Sequence, residues 1–215
     1  LRNYDGYLIF DADCTIKKDF ISKMNDAFNT GKFDAVVSYA SNKNFSDNMI
    51  SAGYGLNYYR FTLSCHRPRA VVGSSTTGTG TGWLISSEFI EKHPFDSTCL
   101  TEDLEFASKT ICRGGRIGFC EDAVIYIEHP TNFIISCRQR LRCYKGNLVN
   151  FAKNFGFYLK SFFKKPTWSK YDILCETFPY ALAFFIITLT YNIFALVMFI
   201  CNSGNGYAYD WNNFF

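Results

Sequence analysis

No two of the nine cysteines in this 215-residue chain (Cys14, Cys65, Cys99, Cys112, Cys120, Cys137, Cys143, Cys175, Cys201) stand at CxxC spacing. An odd set without that spacing argues against a zinc ribbon and a disulfide framework. It predicts reduced thiols in a cytosolic or membrane setting. No signal peptide opens the chain and its first residue is Leu rather than Met, so the sequence is expected to be a piece cut from something longer. No internal repeat is visible. Nor is there a strong polar or apolar bias: 48% of residues are hydrophobic and the mean hydropathy is −0.05. That excludes a disordered tail, a collagen-like fibre and a bundle of many membrane spans. The length suffices for one full core with residues to spare.

Two further absences concern charge. Residues 129–171 carry nine Lys/Arg and no acid, and residues 172–215 carry three acids and no base. Residues 1–128 hold 13 Lys/Arg against 16 Asp/Glu. A one-sign block beside a mixed one predicts an anionic partner, such as a phosphate-bearing ligand, an anionic lipid surface or nucleic acid. A solvated basic face would account for it equally well if it stood alone.

It does not stand alone. From Glu176 to Asp210 the chain has no charge, and residues 178–201 (FPYALAFFIITLTYNIFALVMFIC) are mostly apolar. As a helix these span about 36 Å, against about 30 Å for a bilayer core. A buried soluble helix would be shorter and keep a polar face. Pro179 suits the first turn. The lysines ahead of this segment (Lys153, Lys160, Lys164, Lys165, Lys170) predict a membrane protein whose residues 1–170 face the cytoplasm. Between them Leu148, Phe151, Phe155 and Leu159 recur at helical spacing, which suits either a helix in the interface plane or an amphipathic core helix.

Residues 1–170 read as alternating strands and helices, hence an α/β domain. Residues 7–10 (YLIF), 35–39, 83–85, 116–119 and 123–127 are expected strands. Residues 20–28, 46–64 (capped by Ser46), 87–92, 101–113 (capped by Thr101 and closed by Gly114–Gly115) and 132–155 are expected helices. Residues 67–82 are expected to be loop.

Three clusters carry chemistry. Asp11 and Asp13 follow the YLIF strand directly, where an open α/β sheet places its ligands. Two carboxylates at i and i+2 suit a hard divalent ion, Mg²⁺ or Mn²⁺, that bridges to phosphates. The same residues, FDADCT, match the DxDxT loop of haloacid-dehalogenase-like phosphatases, with Asp11 as nucleophile and Asp13 as acid. The later Lys and acidic pair of such enzymes find no convincing counterpart here. Thr101-Glu102-Asp103 opens a helix. Helix capping alone explains those residue types, and a carboxylate placed as general base is the functional reading. Gln139, Arg142 and Cys143 share one face of a helix, in the segment Arg138-Gln139-Arg140-Leu141-Arg142-Cys143, and guanidinium groups match diphosphate oxygens.

In this order, DAD, GTG, LTEDLEF, GGRIGF, DAVIYIEHPT and RQRLRCYKG resemble the membrane-bound family 2 glycosyltransferases, the cellulose, chitin, hyaluronan and poly-N-acetylglucosamine synthase-like group. The resemblance covers roughly residues 1–150. It implies a GT-A fold and an inverting transfer from a nucleotide sugar, usually a UDP-sugar, to a glycan or lipid-linked acceptor at the membrane, with no role for nucleic acid. On these residues it implies that Asp11 and Asp13 meet the diphosphate through the metal, and that Asp103 is the base with Glu102 beside it. Gln139, Arg140 and Arg142 would hold the diphosphate. Gly80, Thr81, Gly82, Trp83 and Cys143 would line the acceptor site. Cys143 stands where the family's QxxRW pattern has Trp, which removes a stacking surface. Transfer of one or a few sugars, or a non-catalytic binding module, then competes with processive elongation. The family also places about half its catalytic domain before the DxD, so the 215 residues are expected to lack most of a donor pocket and to show no turnover alone. The implied organisation is a catalytic portion (1–150), an interfacial segment (151–172), a transmembrane helix (178–201) and a tail (202–215).

Overall fold

The computed structural model describes residues 4–78, 80–94, 97 and 99–203; most of the expected tail lies outside them. Two units divide the chain at residues 177/178.

The first unit is mixed α/β, built on a five-stranded sheet. Its strands are β1 (Gly6–Ile9), β2 (Thr15–Ile16), β3 (Ala35–Asn42), β4 (Trp83–Ser86) and β5 (Ile117–Ile127), in the spatial order β1-β4-β3-β5-β2. Only β3 and β5 pair in parallel; the other three pairings are antiparallel. The first half of β3 is buried on both faces, as its run AVVS anticipates, whereas β4 alternates buried Trp83 and Ile85 with half-buried Leu84 and Ser86. The two strands expected at 116–119 and 123–127 are one. Its register against β3 jumps from Ser38↔Cys120 to Tyr39↔Val124, so a bulge absorbs Glu121, Asp122 and Ala123. β2 is too short to leave a periodic signal.

The helices are α1 (Phe20–Phe28), α2 (Met49–Phe61), α3 (Arg67–Val71), α4 (Ser87–Lys92), α5 (Glu102–Arg113), α6 (Phe133–Lys164) and α7 (Trp168–Thr177), with a π-helical turn over Thr62–His66. The cap of α2 is Asn48 rather than Ser46: its side chain accepts from the N–H groups of Ile50 and Ser51. Residues 67–71 are helical rather than loop, because Pro68 sits at the helix start, where its missing N–H is harmless.

α6 runs unbroken across residue 150. Leu148, Phe151 and Phe155 are only half-buried. The deepest stripe is polar. Asn150 and Tyr158 are fully buried, the Tyr158 hydroxyl donates to Asn150 Oδ1 at 2.7 Å, and Asn154 Nδ2 donates to Asn150 Oδ1 and to Glu105 Oε1. Glu105, itself 1% exposed, also pairs with Lys109 at 3.0 Å. This network ties α6 to α5, and periodicity of apolar residues cannot foresee it.

A second polar knot holds α7. Arg69 Nε donates to Asp172 at 2.6 Å and Arg69 Nη2 to Glu176 at 2.7 Å, while Glu176 accepts from Thr77. The two carboxylates hold the Arg69 guanidinium above its ordinary value despite its burial. Arg69→Met is expected to lower stability by about 3 kcal/mol, since it strands two partly buried carboxylates, and denaturant unfolding will read the loss.

The second unit contains α8 (Tyr180–Ser203). Its stretch Tyr180–Cys201 has a mean hydropathy of 2.3, with none of it buried. Twenty-two residues reach about 33 Å, long and apolar enough to cross a bilayer. Pro179 stands just ahead of the helix, its carbonyl accepting from Ala183.

Candidate active site

Strand directions bring distant segments to one sheet edge. β1 is antiparallel to β4, and β4 to β3, so the end of β1 and the start of β4 meet. β5, parallel to β3, ends on the same edge. The backbone seals this junction: Gly82 N donates to Ile9 O, and Ser38 N to Gly82 O, both at 3.0 Å. Asp11 N donates to Thr81 Oγ1 at 3.0 Å. Gly80 and Gly82 adopt φ of 89° and 72°, which L side chains rarely do. Thr81, Gly82 and Trp83 are buried. The Trp83 ring packs edge-on against Phe106 at 5.8 Å, and Gly78 lies so close that any side chain there would overlap the indole. Trp83 is therefore a core residue here, and the loop turns Gly80 towards the acids: a methyl group at Gly80 would lie 3.7 Å from Asp103 Oδ2.

Asp11, Asp13 and Cys14 place their ligand atoms within 4.8 Å of one another. The Asp11 carboxyl is raised from its ordinary value by burial and then by the charges of Asp13 and Glu102. Asp103, in the first turn of α5, is raised chiefly by burial, with Glu102 and Asp11 adding to the effect. The N–H groups of Leu104 and of Asp103 itself, which donate to the carboxylate, work against it. Four acids from two separate segments thus crowd one field. A cation would relieve their repulsion. The donor set fits a hard divalent ion through the Asp11 and Asp13 oxygens. Burial raises the Cys14 thiol further above its ordinary value, so it stays protonated and ligates poorly.

α6 supplies the opposite charge. A cavity of about 680 Å³ is lined by Asp13, Glu128, His129, Pro130, Ile135, Arg138, Gln139 and Arg142. Arg140 is not among them: its guanidinium lies 4.7 Å over the ring of Tyr54, on α2. Arg138 faces the cavity in its place, since a helix can send only part of an RQRLR run to one side. Tyr54 is 8% exposed, and its hydroxyl donates to Gln139 Oε1 at 3.1 Å, leaving the Gln139 amide nitrogen for other partners. His129 stacks on Tyr54 at 4.9 Å and leans on Tyr58 at the same distance. Burial lowers its pKa, and its Nε2 has no partner among the described residues. Tyr58 is pushed up to about 12 by burial and by the fields of Asp103 and Cys143; Cys143 is exposed and is not among the residues that line the cavity. Thr101 heads α5, but its hydroxyl caps nothing. Instead Gly146 brings α6 up against Thr101, where an added Cβ would come within 2.7 Å. That close approach sets α6 beside Glu102 and Asp103. The aromatic platform of Tyr54, Tyr58 and His129 escaped the sequence reading. Only the i, i+4 spacing of the two tyrosines hinted at it.

Residues 7–209 match the glycosyl transferase family group 2. Over 204 residues the chain is 27% identical to a protein described as probable glycosyltransferase YdaM, from Bacillus subtilis (strain 168); the match takes in 92% of this chain. The chain spans about half, 47%, of that relative's length.

Proposed function

The chain belongs to glycosyl transferase family group 2, and from that premise we propose that it moves a sugar, with inversion, from a UDP-sugar to a hydroxyl of a glycan or lipid-linked acceptor at the cytoplasmic membrane face. The fold is read as GT-A, with α8 as a transmembrane helix and the exposed apolar side chains of α6 and α7 at the interface. One observation supports the proposal: Asp13, Arg138, Gln139 and Arg142, up to 129 positions apart, line one cavity, while Asp11, next to Asp13, shares an electrostatic field with Glu102 and Asp103.

Asp103 takes the proton of the attacking hydroxyl. As that oxygen bonds to the anomeric carbon, the bond to the phosphate oxygen breaks and its electron pair leaves with the diphosphate. Arg142 and Arg138 fix the oxygens on which this charge develops. Gln139, steadied by Tyr54, orients the same group. Asp11 and Asp13 would hold Mg²⁺ or Mn²⁺, which supplies positive charge to the leaving diphosphate. Gly80 leaves room for the acceptor beside Asp103. Exposed Cys143 offers no ring for a sugar to stack on, which favours short products over long chains.

Membranes carrying the intact protein, offered a panel of UDP-sugars, are expected to release UDP and form labelled product only with a divalent ion present. Phosphate release from a monoester without any sugar nucleotide would sink the reading in favour of a phosphatase. Metal-dependent UDP binding with no transfer to any acceptor would leave only a binding module.

A further inference from the structure

A second cavity, of about 830 Å³, lies away from the acids, between α3, the end of α5 and the α6–α7 junction. We propose that it takes the phosphate headgroup of an anionic membrane lipid.

Its chemistry is that of an anion site. Arg116, Lys165 and Lys170 line it, and the one acid in its wall, Asp172, is already held by Arg69. Lys170 is the telling residue. It is only 7% exposed, its Nζ donates to the carbonyl of Ser161 at 3.1 Å, and no carboxylate among the described residues pairs with it. An ammonium has three donors, and a buried cation without a counter-charge is costly. A phosphate in the cavity supplies both the charge and the missing acceptors. The start of α7 adds the positive end of a ten-residue helix, although Thr167 already accepts from the N–H groups of Lys170 and Tyr171.

The rim separates a lipid from a soluble phosphate. Trp168 is 80% exposed and Val72 74% exposed, with Tyr171 beside them. A free anion has no use for such a border, whereas a phospholipid presents a charged head and apolar chains to both. The inference does not depend on the transfer reaction.

The full chain in neutral detergent, mixed with phosphatidylglycerol or phosphatidylcholine, tests it by native mass spectrometry. Preferential retention of phosphatidylglycerol is expected. The surface double variant Arg116→Gln/Lys165→Gln should weaken that retention by about tenfold, with phosphatidylcholine unaffected. Lys170→Met should weaken it as much or more. If Lys170→Met misfolds, judged by its melting profile, the double variant alone decides. Equal retention of both lipids would reduce the observation to lipid around α8. A folded double variant that keeps phosphatidylglycerol as the parent does would overturn the site. Inorganic phosphate displacing the lipid at comparable concentration would overturn the lipid assignment in favour of a soluble anion.

Discussion

Asp103→Asn is expected to lower the transfer rate by about 10²–10⁴-fold, or roughly 3–5 kcal/mol of barrier, while nucleotide-sugar binding stays near its parent value. Asparagine keeps the shape of the side chain and can still accept from the first-turn N–H groups that hold Asp103, but it cannot take a proton. The diphosphate would be held elsewhere, by Arg142, Arg138 and the Asp11–Asp13 pair. Donor affinity lost in step with rate would assign Asp103 to binding instead. Folding serves as the control, with a definite sign. The folded-state pKa of Asp103 is raised, so its stabilising share is present below the unfolded pKa and fades as pH climbs through the folded one. At neutral pH the ionised carboxyl is a burden, and the Asn variant should melt no lower than the parent. The same shift sets the pH profile: kcat/KM should fall on the acid side at a pH above the ordinary aspartate range. Glu102→Gln should move that limb down, because it removes one of the charges that lifts Asp103. A limb that ignores Glu102 would count against Asp103 as the base.

Gly82→Ala is expected to lower stability by about 2–5 kcal/mol, a large share of what a domain has to lose. Two terms add. The left-handed φ of 72° penalises any Cβ, and the new methyl would overlap the Ser38 hydroxyl. The backbone cannot retreat, since Gly82 is hydrogen-bonded to both Ile9 and Ser38. Gly73 separates the terms: its φ is 68° but an added Cβ meets nothing within 4 Å. Gly73→Ala should therefore show only the backbone part, about 1 kcal/mol. Ser38→Ala in the Gly82→Ala background should recover the overlap part and no more. Thermal melting of the three variants resolves this; equal losses at Gly73 and Gly82 would mean that the sheet junction is slack.

Sequence alone determined whatever depends on neighbours along the chain. The YLIF run ending at Asp11, the helix from Glu102 closed by Gly114, the basic block without acids and the apolar stretch that becomes α8 all rest on periodicity, caps and local charge. These signals act within a few residues, so they can be read without a fold. Tertiary structure decided what depends on which face meets which. It sends Arg138 rather than Arg140 to the cavity, because Tyr54 captures Arg140 from another helix. It buries Trp83 against Phe106 and makes the core stripe of α6 polar, because Glu105 waits opposite Asn154. It joins two short strands through a bulge and places His129 between two tyrosines. Those partners lie between about twenty and ninety positions apart, and only chain packing brings them within reach of a hydrogen bond or a ring contact.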